Sequence, residues 1–407
     1  MSNDYKSNNF KNSTHGFFLA IATTIAEPST ILPLIIHHFS SSVILVGLFA
    51  SLLRGGAIIV QLIAAFYAQS YTRVLPYLKI VFFFRFLAWF AIGLSIFIIG
   101  ESNPTLTLWL IGIGLFLFSF SAGFGGIYFK ELMAKLFTKD QRGQTMANRQ
   151  LFSSVGAILS GGIAGAVLES FEPPQSYAML FMISAVIMSI GFLVFATIKE
   201  PPKINTRKRE DNFILFLKNA SVILKEDKRL QLQIIVSLLG YSFLLAMPFV
   251  ILKAKETIEL SGWTVGFFVT IQMVGSVVGN FFLWKRFKGE FILMLEVAYG
   301  LMLLSFIIAL FASSQLLYSV IFFLFGIGLD GFRNADMNLV LEIAPEDKRP
   351  IYVAIQSTIV SLGLFFSIPG GIILELFGYN VLYITTIMML LCGIYMTRVL
   401  KKYAKID

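Results

Sequence analysis

Seven charged residues stand inside, rather than at the ends of, stretches of this 407-residue chain that are otherwise almost wholly apolar: Glu27, Arg54, Arg85, Glu296, Asp330, Arg333 and Asp336. A charge at the centre of an apolar spanning helix costs about 2.5–3.5 kcal/mol on insertion scales, so each must face a cavity or a partner. In GLDGFRNADMN the order Asp330, Arg333, Asp336 sets two acids three residues on either side of one guanidinium. Helical spacing lets Arg333 reach either acid, but it neutralises only one. The other is left desolvated, the condition for a group that takes up and releases a proton. Asp330 with Arg333 is expected to play this functional part. Asp336, nearer the end of its stretch, is expected to be structural.

Glu27 and Arg54 lie about eleven and twelve residues into their stretches. At 1.5 Å per residue both approach mid-depth, beyond the reach of snorkelling. Glu27 precedes Pro28 in AEPST, and a proline frees backbone carbonyls that can line a cavity. Solute or proton binding is expected of Glu27 and Arg54, with a purely structural ion pair as the competing reading. Arg85 and Glu296 sit nearer one end of their stretches, where long side chains reach water, and a structural role is favoured for both. Gln61 falls seven residues after Arg54 on the same helical face. With Asn280 and Gln356 it completes a set of secondary polar candidates, although amide bonds between helices explain such residues equally well. His37 and His38 are adjacent and point about 100° apart on a helix, so no metal site is expected.

The elements that must position these residues are long apolar helices. The chain is 57% hydrophobic and 14% charged, with a mean hydropathy of +0.80, too apolar for a water-soluble domain. Apolar runs between polar breaks predict twelve spans, at 16–38, 42–68, 76–100, 105–129, 150–168, 176–198, 231–253, 262–284, 291–312, 316–340, 351–374 and 380–397. Each is about as long as a membrane-crossing helix and lacks the alternation of a barrel strand. The expected domains are an amino-terminal segment 1–15, a six-helix bundle 16–198, a linker 199–230, a second bundle 231–398 and a tail 399–407. The linker holds Pro201, Pro202 and the run Arg207, Lys208, Arg209. Its Phe213, Phe216, Leu217 and Leu224 predict a short amphipathic helix.

Charge sets the expected orientation. With a cytoplasmic amino terminus, the inward loops, termini and inner span ends hold 27 of the 32 Lys and Arg, and the outward loops and span ends hold only Lys253 and Lys255. By the positive-inside rule both termini are cytoplasmic. The net charge of +9 is therefore topological, and no nucleic-acid partner is expected. No P-loop, HExxH or serine elbow is present, so neither ATP hydrolysis nor enzymatic catalysis is expected of the chain.

The two halves read as diverged copies. MAKLFTKDQRGQ before span 5 matches VLEIAPEDKRPI before span 11 at an offset of 207, aligning Asp140 with Asp347 and Arg142 with Arg349. In spans 2 and 8, Gly47, Gly56 and Gln61 match Gly266, Gly275 and Asn280 at an offset of 219. An even number of spans per copy makes the repeats parallel, related by an axis along the membrane normal.

Two six-helix halves, a basic central loop and acid-x-basic-Arg turns after spans 4 and 10 together resemble the major facilitator superfamily. The resemblance implies an all-α fold of twelve helices in two parallel repeats, alternating access, and gating roles for Arg73, Arg142 and Arg349. The chain departs from the family's loop 2–3 signature, offering Ala65, Gln69, Ser70, Thr72 and Arg73 with no acid. Helix 5 carries Gly156, Ser160, Gly161, Gly162 and Gly165 without the exporter-type proline, whereas helix 11 carries Gly363, Pro369, Gly370 and Gly371. The expectation is a secondary transporter of a small-molecule solute in a bacterial-type inner membrane, monomeric, without cofactor and coupled to H+. Competing readings are an exporter of amphipathic compounds and, from another class, a non-transporting scaffold, sensor or lipid scramblase.

Overall fold

The computed structural model describes residues 3–27, 29–68, 71–202, 221–287, 289–345 and 348–404. The basic run 207–209, the aromatic positions of the predicted linker helix at 213–217, Gln69, Ser70 and Asp347 lie outside them, as do the side chains of Gln61, Asp140 and Arg349.

The described residues form helices. α1 is Asn3–Ile25, α2 Ile31–Phe39, α3 Val43–Ala68, α4 Leu75–Ile99, α5 Pro104–Leu136, α6 Lys139–Ser170 and α7 Gln175–Ala196. After the linker come α8 Lys228–Gly240, α9 Phe243–Thr257, α10 Gly262–Val278, α11 Phe291–Phe311, α12 Gln315–Ile343, α13 Arg349–Val360 and α14 Ser367–Ala404. Local chemistry explains several starts: Asn103 accepts from Leu106 N ahead of Pro104, Thr138 and Gln141 form a capping box, and Asp227 accepts from Arg229 N and Leu230 N.

Among the described residues nine stretches are long and apolar enough to cross a membrane. The last, Ile351–Tyr403, turns at Gly378, where φ is +80°, and so holds both predicted spans 11 and 12. A residue without Cβ adopts that angle without strain. Predicted spans 1 and 2 are carried by α1 with α2, and by α3.

Among the described residues four spans depart from continuous α-helices, span 11 among them, where a 3-10 turn at Ser361–Phe365 separates α13 from α14. Span 1 breaks between Ile25 and Ile31, because Glu27 precedes a proline and a helical conformation is disfavoured there. Span 7 breaks at Tyr241 and Ser242, between α8 and α9. In span 8, α10 passes into a π-helical turn, Gly279–Leu283, an irregularity often found at functional sites. The polar stretch before residue 16 is also helical, since α1 starts at Asn3 and buries Asn12 and His15.

The chain forms two compact units. One holds α1, α2, α4 to α7, most of α3 and residues 262–270; the other holds 43–51, α8, α9, the rest of α10 and α11 to α14. In the first unit α4 packs on α5 and α7, and α1 on α6 and α7. In the second, α11 packs on α12 and α14, and α8 on α13 and α14. These are the same pairings shifted by one repeat. Each unit has an aromatic centre, Trp89 stacked on Phe118 at 3.7 Å in one and Tyr299 beside Phe332 at 5.8 Å in the other. Outer faces are apolar, as Phe83, Leu193, Phe282 and Leu376 illustrate, and suit lipid rather than water.

The repeat is also visible in glycine contacts. A Cβ at Gly56 would overlap the backbone of Phe116, and one at Gly275 the backbone of Phe323. The glycines are 219 apart and the phenylalanines 207 apart, the two offsets read from the sequence. On the same interface a Cβ at Gly326 would collide with the Gln272 carbonyl. Gly326→Ala should therefore lower stability by about 1–3 kcal/mol, the usual cost of overpacking. Gly300→Ala, where a Cβ meets nothing within 4 Å, should be neutral or stabilising by up to ~1 kcal/mol. Thermal unfolding of both purified variants in detergent checks the contrast, and equal midpoints would remove the close approach as its cause.

Candidate functional site

The break between α1 and α2 presents Glu27. Its carbonyl accepts from the backbone N–H groups of Thr30, Ile31 and Leu32, so the chain re-enters helix directly after it. Its Oε1 accepts from Ser29 Oγ at 2.9 Å and lies 3.9 Å from Arg54 Nη2 on α3. The Glu27 and Arg54 side chains keep 17% and 19% of their surface exposed, so the pair is neither sealed nor free. The two residues singled out in the first half are thus brought together.

In the second half, α10 and α12 approach closely at Gly275 and Gly326, and that approach lets short side chains meet. Asp330 Oδ2 accepts from Ser276 Oγ and, at 2.6 Å, from Asn280 Nδ2 on the π-helical turn. Asn334 Nδ2 donates to Asn280 Oδ1 at 3.1 Å. Arg333 Nη1 is 3.9 Å from Asp330 Oδ1, and its side chain is 59% exposed. Arg333 therefore serves Asp330, while Asp336 points elsewhere on the helix.

Asp336 is 9% exposed and meets three neutral donors. Gln233 Nε2 donates to its Oδ1 at 3.0 Å, Ser237 Oγ to the same oxygen, and Gln356 Nε2 to Oδ2 at 2.9 Å. Gln356 is thereby joined to Asp336, on a different helix face from Asp330.

The remaining candidates are dispersed. The Arg85 guanidinium lies over the rings of Phe118 at 4.3 Å and Phe192 at 5.8 Å, a cation–π setting. Glu296 accepts from Arg398 at 3.2 Å. Arg142 donates to the carbonyls of Phe137 and Ala134 at the end of α5, and Arg73 is exposed.

Two buried polar groups escaped the sequence reading. Arg149 Nη1 donates to Asn12 O at 2.8 Å and Oδ1 at 3.1 Å, and lies 2.8 Å from His15 Nδ1. A guanidinium only donates, so Nδ1 accepts and the ring hydrogen sits on Nε2. Phe82, Phe192 and Phe195 surround that ring. The second group is Glu200, which accepts from Lys135 Nζ at 2.7 Å and from the backbone of Val74 and Leu75. The available signal was polarity alone: Asn12 and His15 at helical spacing, and an acid directly before Pro201.

The sequence profile of the major facilitator superfamily matches residues 15–367. The chain belongs to that superfamily. Solved structures of similar fold include a single-residue variant of the nucleoside transporter NupG, with a TM-score of 0.74, 12% identity, and coverage of 97% of this chain and 99% of that one. A bacterial homologue of the iron transporter ferroportin in an inward-facing state gives 0.71, 14%, 98% and 99%. A D-xylose–proton symporter gives 0.69, 15%, 96% and 96%. No curated protein matches the chain by sequence. Membership establishes an all-helical, multi-pass membrane protein of the transporter fold, whose partners are a small-molecule substrate and the bilayer.

Proposed function

We propose that the chain is a secondary active transporter, moving a small polar solute by alternating access and coupled to protons. The observation that carries this reading is the meeting of Glu27 and Arg54, 3.9 Å apart and partly exposed, at a break in an otherwise apolar span. Broken helices with charged side chains mark solute and ion sites in transporters. Asp330 and Arg333, backed by Ser276 and Asn280, supply acceptors and a cation in the second half. The charge bias supports an inner (plasma) membrane location with both termini cytoplasmic. Arg73, Arg142 and Arg349 act at the gating ends, and the protein works as a monomer. Proteins of like fold include a nucleoside transporter and a D-xylose–proton symporter, which supports a polar solute.

The test is uptake by purified protein in liposomes, screened over nucleosides, sugars, amino acids and organic cations with and without an imposed pH gradient. One solute class should accumulate only with the gradient, and Asp330→Asn should lower its uptake at least tenfold. An exporter of amphipathic compounds is the second reading, favoured by an apolar groove of about 580 Å³ along α4 and α5 lined by Tyr77, Phe84, Leu117 and Phe124. Movement of dye-like cations alone would select it. Scrambling of labelled lipid with no solute movement would overturn transport.

A further inference from the structure

We propose that the proton-binding carboxyl of the second unit is Asp336, held between α8, α12 and α13 and distinct from the Asp330–Arg333 pair. The inference rests on the proton-coupled reading above and assigns its acid. The two carboxyls differ in the kind of partner each has. Asp330 has a guanidinium at 3.9 Å. Among the described residues Asp336 has Gln233, Ser237 and Gln356, themselves 0%, 0% and 6% exposed. Three neutral donors support a carboxylate, but no cation balances its charge in the apolar interior.

The same shell accepts the protonated form without repacking. Ser237 Oγ lies within hydrogen-bond distance of both the Gln233 carbonyl, at 2.9 Å, and Asp336 Oδ1. With Asp336 ionised, the hydroxyl hydrogen points to Oδ1. With Oδ1 protonated, the new O–H donates to Ser237 Oγ, whose hydrogen turns to the Gln233 carbonyl. One proton is added and one hydroxyl rotates; no side chain moves. Gln233 Oε1 is buried with no hydrogen-bond partner among the described residues, so a half-turn of that amide would offer Asp336 an acceptor in place of a donor.

The surroundings supply no rival titrating group in contact. On α11 the Tyr299 phenol donates to Val236 O at 2.7 Å. The charges of α8 are Lys228 and Arg229 at its start, and that of α13 is Arg349 at its first position. Glu296 on α11 is tied to Arg398 of α14, and Arg333 on α12 stands by Asp330. Among the described residues none pairs with Asp336. Because its donors come from α8 and α13 while the acid rides on α12, sliding these helices apart opens the shell to water. The proton then leaves Oδ1 for water on one side, and is taken from water on the other.

The proton itself is the probe. Proteoliposomes on a sensor surface are given an acid pH jump without solute, and the transient charge displacement is recorded. Wild type and Glu375→Gln, an exposed acid on α14, should show the transient, and Asp336→Asn should lose it. A half-turn of the Gln233 amide offers the asparagine N–H an acceptor in Oε1, so the variant should fold, as gel filtration would report. Should it not, Gln356→Leu keeps the carboxyl, removes a donor and should move the midpoint of the transient; an unmoved midpoint counts against the proposal. A transient that survives in Asp336→Asn but vanishes in Asp330→Asn or Glu27→Gln overturns the assignment and leaves proton coupling standing. A response to Na+ alone, lost in Asp336→Asn, makes the shell a sodium site and overturns it too. No transient in wild type would sink proton coupling itself.

Discussion

Glu200→Ala is expected to lower the stability of the purified protein by about 3–5 kcal/mol, the usual result of removing one partner from a buried ion pair. The Glu200 side chain is 2% exposed and that of Lys135 10%. One carboxylate serves three donors: Lys135 Nζ at 2.7 Å, Val74 N at 2.9 Å and Leu75 N at 2.7 Å. Truncation leaves an ammonium without its counter-ion and two backbone N–H groups at the start of α4 without an acceptor. Lys135 keeps only its bond to the Thr72 carbonyl, at 2.9 Å. Glu200→Gln retains an acceptor for one N–H and should lose less. The double variant Lys135→Met, Glu200→Leu removes both charges and should recover much of the loss. Thermal unfolding in detergent reads all three, and a Glu200→Ala midpoint equal to wild type would show that the network holds nothing together.

That network explains why part of the fold escaped a reading along the sequence. The loop between α3 and α4 lacks the acid of the family signature, and a carboxylate reaches the start of α4 from more than 120 residues away, since Val74 and Glu200 are 126 positions apart. Hydropathy places spans because the bilayer imposes length and polarity on each helix separately. It says nothing of which buried polar atoms meet. Asp330 and Arg333 were legible as neighbours on one helix, three residues apart. The Asn280 contact was half legible, since the repeat marked the residue but not the π-helical turn that turns it toward Asp330. Asp336 lay on the same three-residue ladder, so sequence spacing offered it to Arg333. Positions 330 and 336 fall about 120° apart around a helix of 3.6 residues per turn, and the structure gives each its own shell.

Helix breaks divide in the same way. The first was legible because Glu27 stands before a proline, whose geometry acts locally. The break at Tyr241 and Ser242 has no such residue beside it, and Pro248 lies within α9. Asn12 and His15 read as a polar lead-in because single-residue polarity outweighs helical phase. Arg149, on α6, supplies the donors that make their burial tolerable.

Glu27→Gln is expected to reduce solute uptake by roughly tenfold to 150-fold at subsaturating solute, equivalent to the 1.5–3 kcal/mol typical of a hydrogen bond to a charged group. The side chain keeps its size and its 2.9 Å bond from Ser29 Oγ, but loses the charge that faces Arg54 at 3.9 Å. Arg54→Gln should give a comparable loss. The informative variant is the double one, Glu27→Gln with Arg54→Gln. Were the pair structural, removing both charges would eliminate the penalty that either single change leaves behind, and stability and uptake would return together. A pair that engages the solute predicts otherwise: the double variant should fold as well as wild type, because no uncompensated charge remains in the span, yet stay as inactive as the single variants. Exchange of labelled solute across the liposome membrane, measured beside thermal unfolding, separates the outcomes, and uptake restored in the double variant would assign Glu27 and Arg54 to the scaffold.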